Sequence, residues 1–357
     1  MKNTKICLHS MVGNEEKVIL RMLESCYEYI DYYVIQCNGQ DNTEKIIKDF
    51  FEDKKIPGFT YQIEWNYPGW NRDHALKKCL ESDHQCDWIL RMDADEQLKV
   101  DDDFNWSIFD QTMIQSFNIM AQDPGSFYYR TWIWNAKLPW SFRHDKRHEC
   151  ILLEGTEEFQ RINLPKSFRH IITNDGETWT NSSKFLSDAL ELENHHITKE
   201  TLLSDCYHFF YVAKSYNDCY TNSNFPLGYE HQKEYARRCI FYSQSFVDYV
   251  NREDEMVYYA QYMVGNAYKF CGEYQNAITA FAKAQKYCST RNEHYCGLAE
   301  TYHCMGDYKT MLEYTTILMH PERKNPFPNS VFLIHNSAYN DTGGYIQYLH
   351  NIALSNV

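Results

Sequence analysis

Three carboxylates stand within four residues at Asp93-Ala94-Asp95-Glu96, directly after the short apolar run Trp88 to Met92. That run has the length and composition of a buried strand, so the acids fall at its C-terminal end, where side chains point into a site. An Asp-x-Asp pair in that place supplies hard oxygen ligands separated by one residue. Such a pair suits a Mg²⁺ or Mn²⁺ ion that keeps some waters and completes its shell with substrate phosphates. Taken without context, the same residues fit a solvated turn or a helix cap equally well.

A second group with chemical capacity is Arg143-His144-Asp145-Lys146-Arg147-His148-Glu149. Two histidines four apart followed by Glu invite zinc, but a zinc protease needs His-Glu-x-x-His on one helix, and the order here is wrong. A salt-bridged loop is the plainer alternative. The aromatics Tyr128, Tyr129, Trp132 and Trp134 alternate in an expected hairpin, a pattern of core packing more often than of a site, although an exposed ring among them could stack on a flat or ring-shaped ligand.

The elements that must position these groups alternate from the start. Lys5 to Val12 reads as a strand, Asn14 caps a helix running to about Cys26, and Tyr32 to Cys37 is a second strand. A capping turn at Asn38–Thr43 leads into a helix over Glu44–Phe51, followed by a strand at Phe59–Trp65 and a helix at Asn71–Ser82. Three β-α units before the acidic cluster argue a parallel sheet with helices on both faces, which binds ligands at the carboxyl ends of its strands. The loops Ser10–Asn14, Cys37–Asn42 and Tyr67–Arg72 then share one rim with Asp93 and Asp95. Further on, a helix is expected over Phe104–Phe117, a strand pair over Asn118–Lys137 about Asp123-Pro124-Gly125, and a last strand at Arg169–Thr173.

From Ser182 the period changes to that of Tyr-rich helices. Ala267-Tyr268-Lys269-Phe270-Cys271-Gly272-Glu273-Tyr274 returns as Thr301-Tyr302-His303-Cys304-Met305-Gly306-Asp307-Tyr308, an offset of 34 residues, which is the tetratricopeptide period. Gly closes the turn between paired helices, and Ala277, Ala280 and Phe281 interlock them. The expected division is residues 1–180 and 181–357, with the clearest repeats at about 258–291 and 292–325 and a degenerate copy from Phe209 to Tyr242, interrupted at Asn222–Pro226. Capping helices are expected between Ser330 and Ile352.

Composition narrows the partners. With 49 acidic against 35 basic side chains the net charge is −14, which disfavours generic binding to nucleic acid or an anionic membrane. An anionic nucleotide then needs a metal or a local Arg. The 13 cysteines are odd in number and scattered without a Cys-x-x-Cys pair, so a reducing, cytoplasmic setting is expected. Neither a signal peptide nor a run of ~20 apolar residues is seen.

Four segments in order carry a specific resemblance: Ser10-Met11-Val12-Gly13-Asn14-Glu15-Glu16, Val34-Ile35-Gln36-Cys37-Asn38-Gly39-Gln40-Asp41-Asn42-Thr43, Gly69-Trp70-Asn71-Arg72-Asp73 and Asp87 to Glu96. Together they resemble the motifs of family 2 glycosyltransferases with the GT-A fold, and the helical tail resembles those family members that end in tetratricopeptide repeats. The resemblance implies an α/β, Rossmann-like mixed sheet followed by an all-α domain. It also implies an inverting, Mn²⁺- or Mg²⁺-dependent transferase of the hexosyl or N-acetylhexosaminyl class, with a nucleotide-diphosphate-sugar donor and a glycan or polypeptide acceptor. Met11, Val12, Glu15, Gln36, Arg72, Asp93, Ala94 and Asp95 fall on its donor site.

By the same resemblance Arg72 lies near the nucleotide, Asp93 near the ribose or sugar and Asp95 on the metal, with Asp93 a second candidate ligand; Glu149 is the general base, or else it orients His148, itself a candidate ligand. Relatives often place a His before the Gly that corresponds to Gly176, where it completes the metal shell; Asn174 or Asp175 stands there in this chain, which makes Asn174 a candidate oxygen ligand to the metal. Many also carry Asp at the position of Gln36, accepting the uracil N–H; a Gln amide can both accept and donate, so a UDP-sugar stays the favoured donor. Gln36 and the absent His motivate the alternative, a catalytically inactive tetratricopeptide scaffold. A homodimer through the helical domain is also left open.

Overall fold

The first strand, β1 (Ile6–Val12), is buried at every position except Met11, the pattern of a strand covered on both faces. Successive residues point to opposite sides. Accordingly Ile6 and Leu8 join one apolar cluster with Met22, Leu23 and Phe51, while Cys7 joins another with Leu76, Cys79 and Trp134. Two parallel neighbours flank β1, namely β2 (Tyr32–Cys37) and β4 (Trp88–Arg91), and β2 carries β3 (Gly58–Tyr61) on its other side. The crossovers are α1 (Ile19–Cys26), α2 (Thr43–Lys54) and α3 (Pro68–Leu80).

This computed structural model describes residues 4–83, 85–111, 113–123, 125–143, 150–156, 158–176, 184–194, 207–221, 228–250, 255–323, 334–339 and 344–357. The chain divides into two units, one of Met1–Pro124 with Tyr128–Asn181 and one of Gly125–Phe127 with Ser182–Val357.

In the N-terminal unit the sheet continues through β5 (Glu96–Val100), β6 (Ser116–Gln122), β7 (Ser126–Asn135) and β11 (Phe168–Ile172) in the order β3-β2-β1-β4-β7-β6-β11-β5. The ladders β4–β7 and β11–β5 are antiparallel, which makes the sheet mixed. Between β7 and β11 lie β8 (Trp140–Phe142) and β9 (Ile151–Leu153), paired with each other, and β10 (Arg161–Asn163), which runs parallel to β6. Only Met92–Asp95 separates β4 from β5, so the acids sit in a tight turn between two strands.

Two expectations fail here for identifiable reasons. The helix assigned to Phe104–Phe117 is a 3-10 turn at Trp106–Asp110 followed by β6. Phe104, Trp106 and Phe109 all gather around Phe168, and Phe117 meets Phe109, a convergence that helical spacing would not allow. Asn14 does not cap α1, which starts at Ile19; its Oδ1 accepts the backbone N–H groups of Gln40 at 2.7 Å and Asp41 at 3.3 Å. That bond ties the β1–α1 loop to the β2–α2 loop. The two loops also meet at Gly39, where any Cβ would lie 2.3 Å from the Gly13 carbonyl oxygen.

The C-terminal unit is helical: α4 (Lys184–Asn194), α5 (Tyr207–Thr221), α6 (Tyr229–Tyr249), α7 (Glu255–Phe270), α8 (Tyr274–Tyr287), α9 (Glu293–Met305), α10 (Tyr308–Met319) and α11 (Tyr345–Asn356). The repeat read from the sequence becomes the pairs α7–α8 and α9–α10, each turning at a left-handed glycine, Gly272 (φ +79°) or Gly306 (φ +73°). The degenerate copy corresponds to α5 and α6, while its interruption at Asn222–Pro226 lies outside the described residues. No described helix is long and apolar enough to cross a membrane.

Phe281 of α8 is fully buried in a slot between two glycines, Gly265 of α7 and Gly297 of α9. A Cβ on either would sit 2.5 Å or 2.4 Å from its ring. Gly297→Ala is therefore expected to overpack the slot and cost about 1–3 kcal/mol. All eight tryptophans precede Ser182. The loss should therefore appear in the helical far-UV signal during urea unfolding and leave the tryptophan fluorescence transition in place; coincident shifts in both would count against a local slot.

Candidate active site

In the ladders Met11 lies opposite Gln36, Gln36 opposite Tyr61, and His9 opposite Arg91, so the C-terminal ends of β1–β4 share one rim. The turn Met92–Asp95 leaves that rim held on both flanks. Ser10 Oγ donates to the Met92 carbonyl at 2.7 Å, Glu96 Oε2 accepts the Asp93 N–H at 3.1 Å, and Thr173 Oγ1 donates to the Asp95 carbonyl at 2.7 Å. The Asp93 carboxylate, 33% exposed, meets Arg91 at 3.4 Å and Arg72 of α3 at 3.6 Å. Burial would raise its pKa, but Arg91, then Arg72 and Arg130, outweigh burial and hold it well below the usual carboxylate range.

Asp95 is nearly buried, at 9% exposure. Its carboxylate and that of Glu15 flank Gly176, where a Cβ would come 3.3 Å from Asp95 Cβ and 3.3 Å from Glu15 Oε2. A third acid close by is already committed. Arg21 of α1 donates to both Asp175 oxygens at 2.8 and 2.6 Å and to Thr173 Oγ1 at 2.6 Å, and this bond takes the Asp175 carboxyl down to about 2. Asp175 thus serves as the partner of Arg21. Asn174, half-buried with φ +55°, follows β11 on the same segment.

Beneath the turn lies a layer in which the sequence singles out Glu96 and Trp132 but neither Arg130 nor His170. Arg130 of β7 donates to Glu96 Oε1, its Nη2 lies 2.9 Å from His170 Nδ1, and its guanidinium stacks 3.4 Å from the centroid of Trp132. Arg91 lies over the same indole at 4.0 Å. Burial raises Glu96 above an ordinary glutamate while Arg130 pulls the other way. Burial, reinforced by Arg130, keeps His170 neutral, so its Nδ1 accepts from Arg130. His9, 3% exposed, is lowered to about 3 by burial and by Arg91 and Arg72, so it too is uncharged. The only local signal for this layer was a charged residue amid the aromatics of β7.

Other expectations are revised. Gln36 has no accessible surface, and its amide is engaged by Asn71 at 3.4 Å and Tyr61 at 3.5 Å. It supports the rim from below and does not present its amide to a base. Trp134 is fully buried and Trp132 is covered by two guanidinium groups, so neither offers a free face to a sugar. Met11 is half-buried, Val12 and Ala94 are buried, and Glu15, half-buried, gives its N–H to Thr43 Oγ1 at 2.8 Å. His148 and Glu149 lie outside the described residues. Among the described residues no three His, Cys, Asp or Glu side chains converge as a complete metal-ligand set.

Residues 11–104, from the end of β1 through the Asp93–Asp95 turn to Phe104, match the family described as glycosyl transferase family 2. That match lies within the N-terminal unit and does not extend beyond Phe104. No curated protein matches the chain. Of the solved structures similar to it, a thermophilic TPR protein of Thermus thermophilus is 16% identical at a TM-score of 0.31, over 50% of this chain and 79% of its own. A mannosyltransferase from Pyrobaculum calidifontis, solved with GDP-Man and Mn²⁺, is 11% identical at a TM-score of 0.38, over 88% of this chain and 84% of its own. Overlaps this loose transfer neither substrate nor mechanism to the glycosyl transferase domain, whose site stands on its own residues.

Proposed function

We propose that the family 2 glycosyl transferase domain moves a sugar from a nucleotide-diphosphate donor to a glycan or polypeptide acceptor, with Mn²⁺ or Mg²⁺ bound at Asp95 and Asp93. The observation that carries this reading is the rim itself. Asp93 and Asp95 stand at a strand end inside the family-matched span, with Arg72 and Arg91 within 3.6 Å of Asp93 on a chain of net charge −14. A diphosphate on so acidic a protein needs local cations, and this rim concentrates them.

The donor set fits the ion. Asp93 and Asp95 offer hard oxygens and Asp93 is held ionised, a pair that suits an ion which takes the rest of its shell from phosphate and water. Bound there, the ion supplies neutralisation of charge on the departing diphosphate. The chain's own residues do the rest: Arg72 attracts the diphosphate, Arg91 fixes Asp93, and Gln36 with Asn71 forms the floor beneath the nucleotide. Direct displacement with inversion is the mechanism we adopt from the family, and Glu149 is our candidate for the acceptor's base on sequence grounds alone.

The test is thermal stabilisation by a panel of nucleotide sugars, UDP-sugars first, each with Mn²⁺, with Mg²⁺ and with chelator. A ligand present at a hundred times its Kd adds about 2.7 kcal/mol to the native state, so one donor should raise Tm only when the metal is present. The same donor should then be slowly hydrolysed. If no nucleotide sugar stabilises the chain and none releases nucleoside diphosphate, the domain is an inert scaffold.

A further inference from the structure

Glu96 and His170 are 2% and 0% exposed, and Arg130 reaches both from β7. A buried ion pair of this kind is a poor way to gain stability, because desolvation of the two charges offsets most of their attraction, and apolar residues of the same volume usually do as well. What the pair accomplishes lies one bond further on. The Glu96 oxygen that Arg130 does not take accepts the Asp93 N–H at 3.1 Å, and the Glu96 N–H returns to the Asp93 carbonyl at 3.2 Å. The turn bearing both rim aspartates is thereby closed on itself through Glu96. Arg91, which meets the Asp93 carboxylate, rests on the same Trp132 ring as Arg130, so one indole registers both cations.

We propose that Arg130 is a positioning residue for donor turnover: by holding Glu96 it fixes the Asp93–Asp95 turn in the geometry that a diphosphate and its divalent ion require. This rests on the function proposed above. Arg130 itself, 12% exposed, bonds Glu96 and His170 and stacks on Trp132, so the role assigned to it acts through Glu96. Ligand-orienting partners of this type typically govern metal affinity or activity by about 10- to 100-fold.

The experiment measures three quantities on the full chain: the Mn²⁺ midpoint for binding of UDP and of GDP by calorimetry, kcat for donor hydrolysis, and Tm. Arg130→Met should raise the Mn²⁺ midpoint and lower kcat, each by about 10- to 100-fold. Arg130→Lys should recover part of both, since it restores the charge but not the flat face over Trp132. Arg169→Met is the control, because Arg169 pairs with Asp101 at the other end of the β11–β5 ladder, at 2.7 Å. It should lower Tm and leave the Mn²⁺ midpoint alone. If Arg130→Met does not fold, Arg130→Gln, which keeps a donor for Glu96, takes its place and should shift the midpoint in the same direction. A folded variant at position 130, Met or Gln, with a wild-type midpoint and kcat overturns the proposal, and so does an equal shift in Arg169→Met. Failure of the wild-type chain to bind either nucleotide with Mn²⁺ would instead remove the functional reading, and this inference with it.

Discussion

Asp95→Asn is expected to abolish metal-dependent turnover while leaving the fold intact. The substitution is nearly isosteric at a position 9% exposed, and the backbone carbonyl that holds the turn to Thr173 is untouched. The change is the loss of the carboxylate charge to which the ion is proposed to bind. A divalent ion contributes several kcal/mol to stabilising charge at a departing diphosphate, which corresponds to roughly 100- to 1000-fold in kcat. Donor hydrolysis at saturating Mn²⁺ measures the loss, and circular dichroism with Tm verifies the fold. Full activity in Asp95→Asn, or in the wild-type chain with excess chelator, would exclude the metal mechanism.

The second large effect is expected in the helical unit. Arg291 and Glu293 flank the start of α9 with 0% and 1% exposure, bonded at 2.6 Å and 3.1 Å. Glu293 also accepts from Tyr258 Oη at 3.3 Å, Tyr339 Oη at 3.0 Å and the His335 N–H at 3.2 Å. Removing one partner of a buried pair costs about 3–5 kcal/mol, because the other charge stays behind. Glu293→Gln leaves Arg291 with Glu255 at 3.3 Å as its ion-pair partner, and the helical transition in urea should fall accordingly. The same group sets a pH window. Burial would raise Glu293, but Arg291 prevails and brings it from the ordinary 4.5 down to about 2. A folded-state pKa below the unfolded one means that the stabilisation is complete above about pH 4.5 and is lost as the pH falls toward 2. Over that window the wild-type helical unit should lose stability, and Glu293→Gln should give a flatter profile. An equal slope in both would assign the acid sensitivity to other carboxylates.

The parts of the site that could be read from the sequence are those encoded locally. Buried strands such as β1 and β4 announce themselves as short, largely apolar runs, and an acidic pair directly after one of them has few places to go but the rim. The 34-residue repeat was legible because Gly272 and Gly306 each close a left-handed turn that other residues rarely adopt. What stayed hidden depends on contacts between distant segments. Arg130 and His170 meet across 40 residues, and Glu96 meets Arg130 across 34. Asn14 has the residue type of a helix cap, yet its oxygen was taken by a loop 26 residues away. The aromatics between Phe104 and Phe117 favoured a helix on hydrophobicity alone, whereas convergence on Phe168 decided for a turn and a strand. Gln36 shows a further limit: sequence pattern located it at the strand end but could not tell that its amide faces Asn71 and Tyr61.

The Thr173 bond to Asp95 has a consequence for the order in which the protein is made. The two residues are 78 positions apart, and Arg21, which secures Asp175 beside Thr173, is separated from it by 154. A ribosome adding about 5–20 residues per second needs roughly 4–16 s to travel from Asp95 to Thr173. During that interval β1, β2 and β4 can already pair, yet the acidic turn lacks the hydroxyl that secures its far side and α1 lacks its acidic partner. The far side of the acidic turn is therefore secured only with the emergence of β11, so a nascent or truncated chain ending before Phe168 would carry every rim motif without the Thr173 bond.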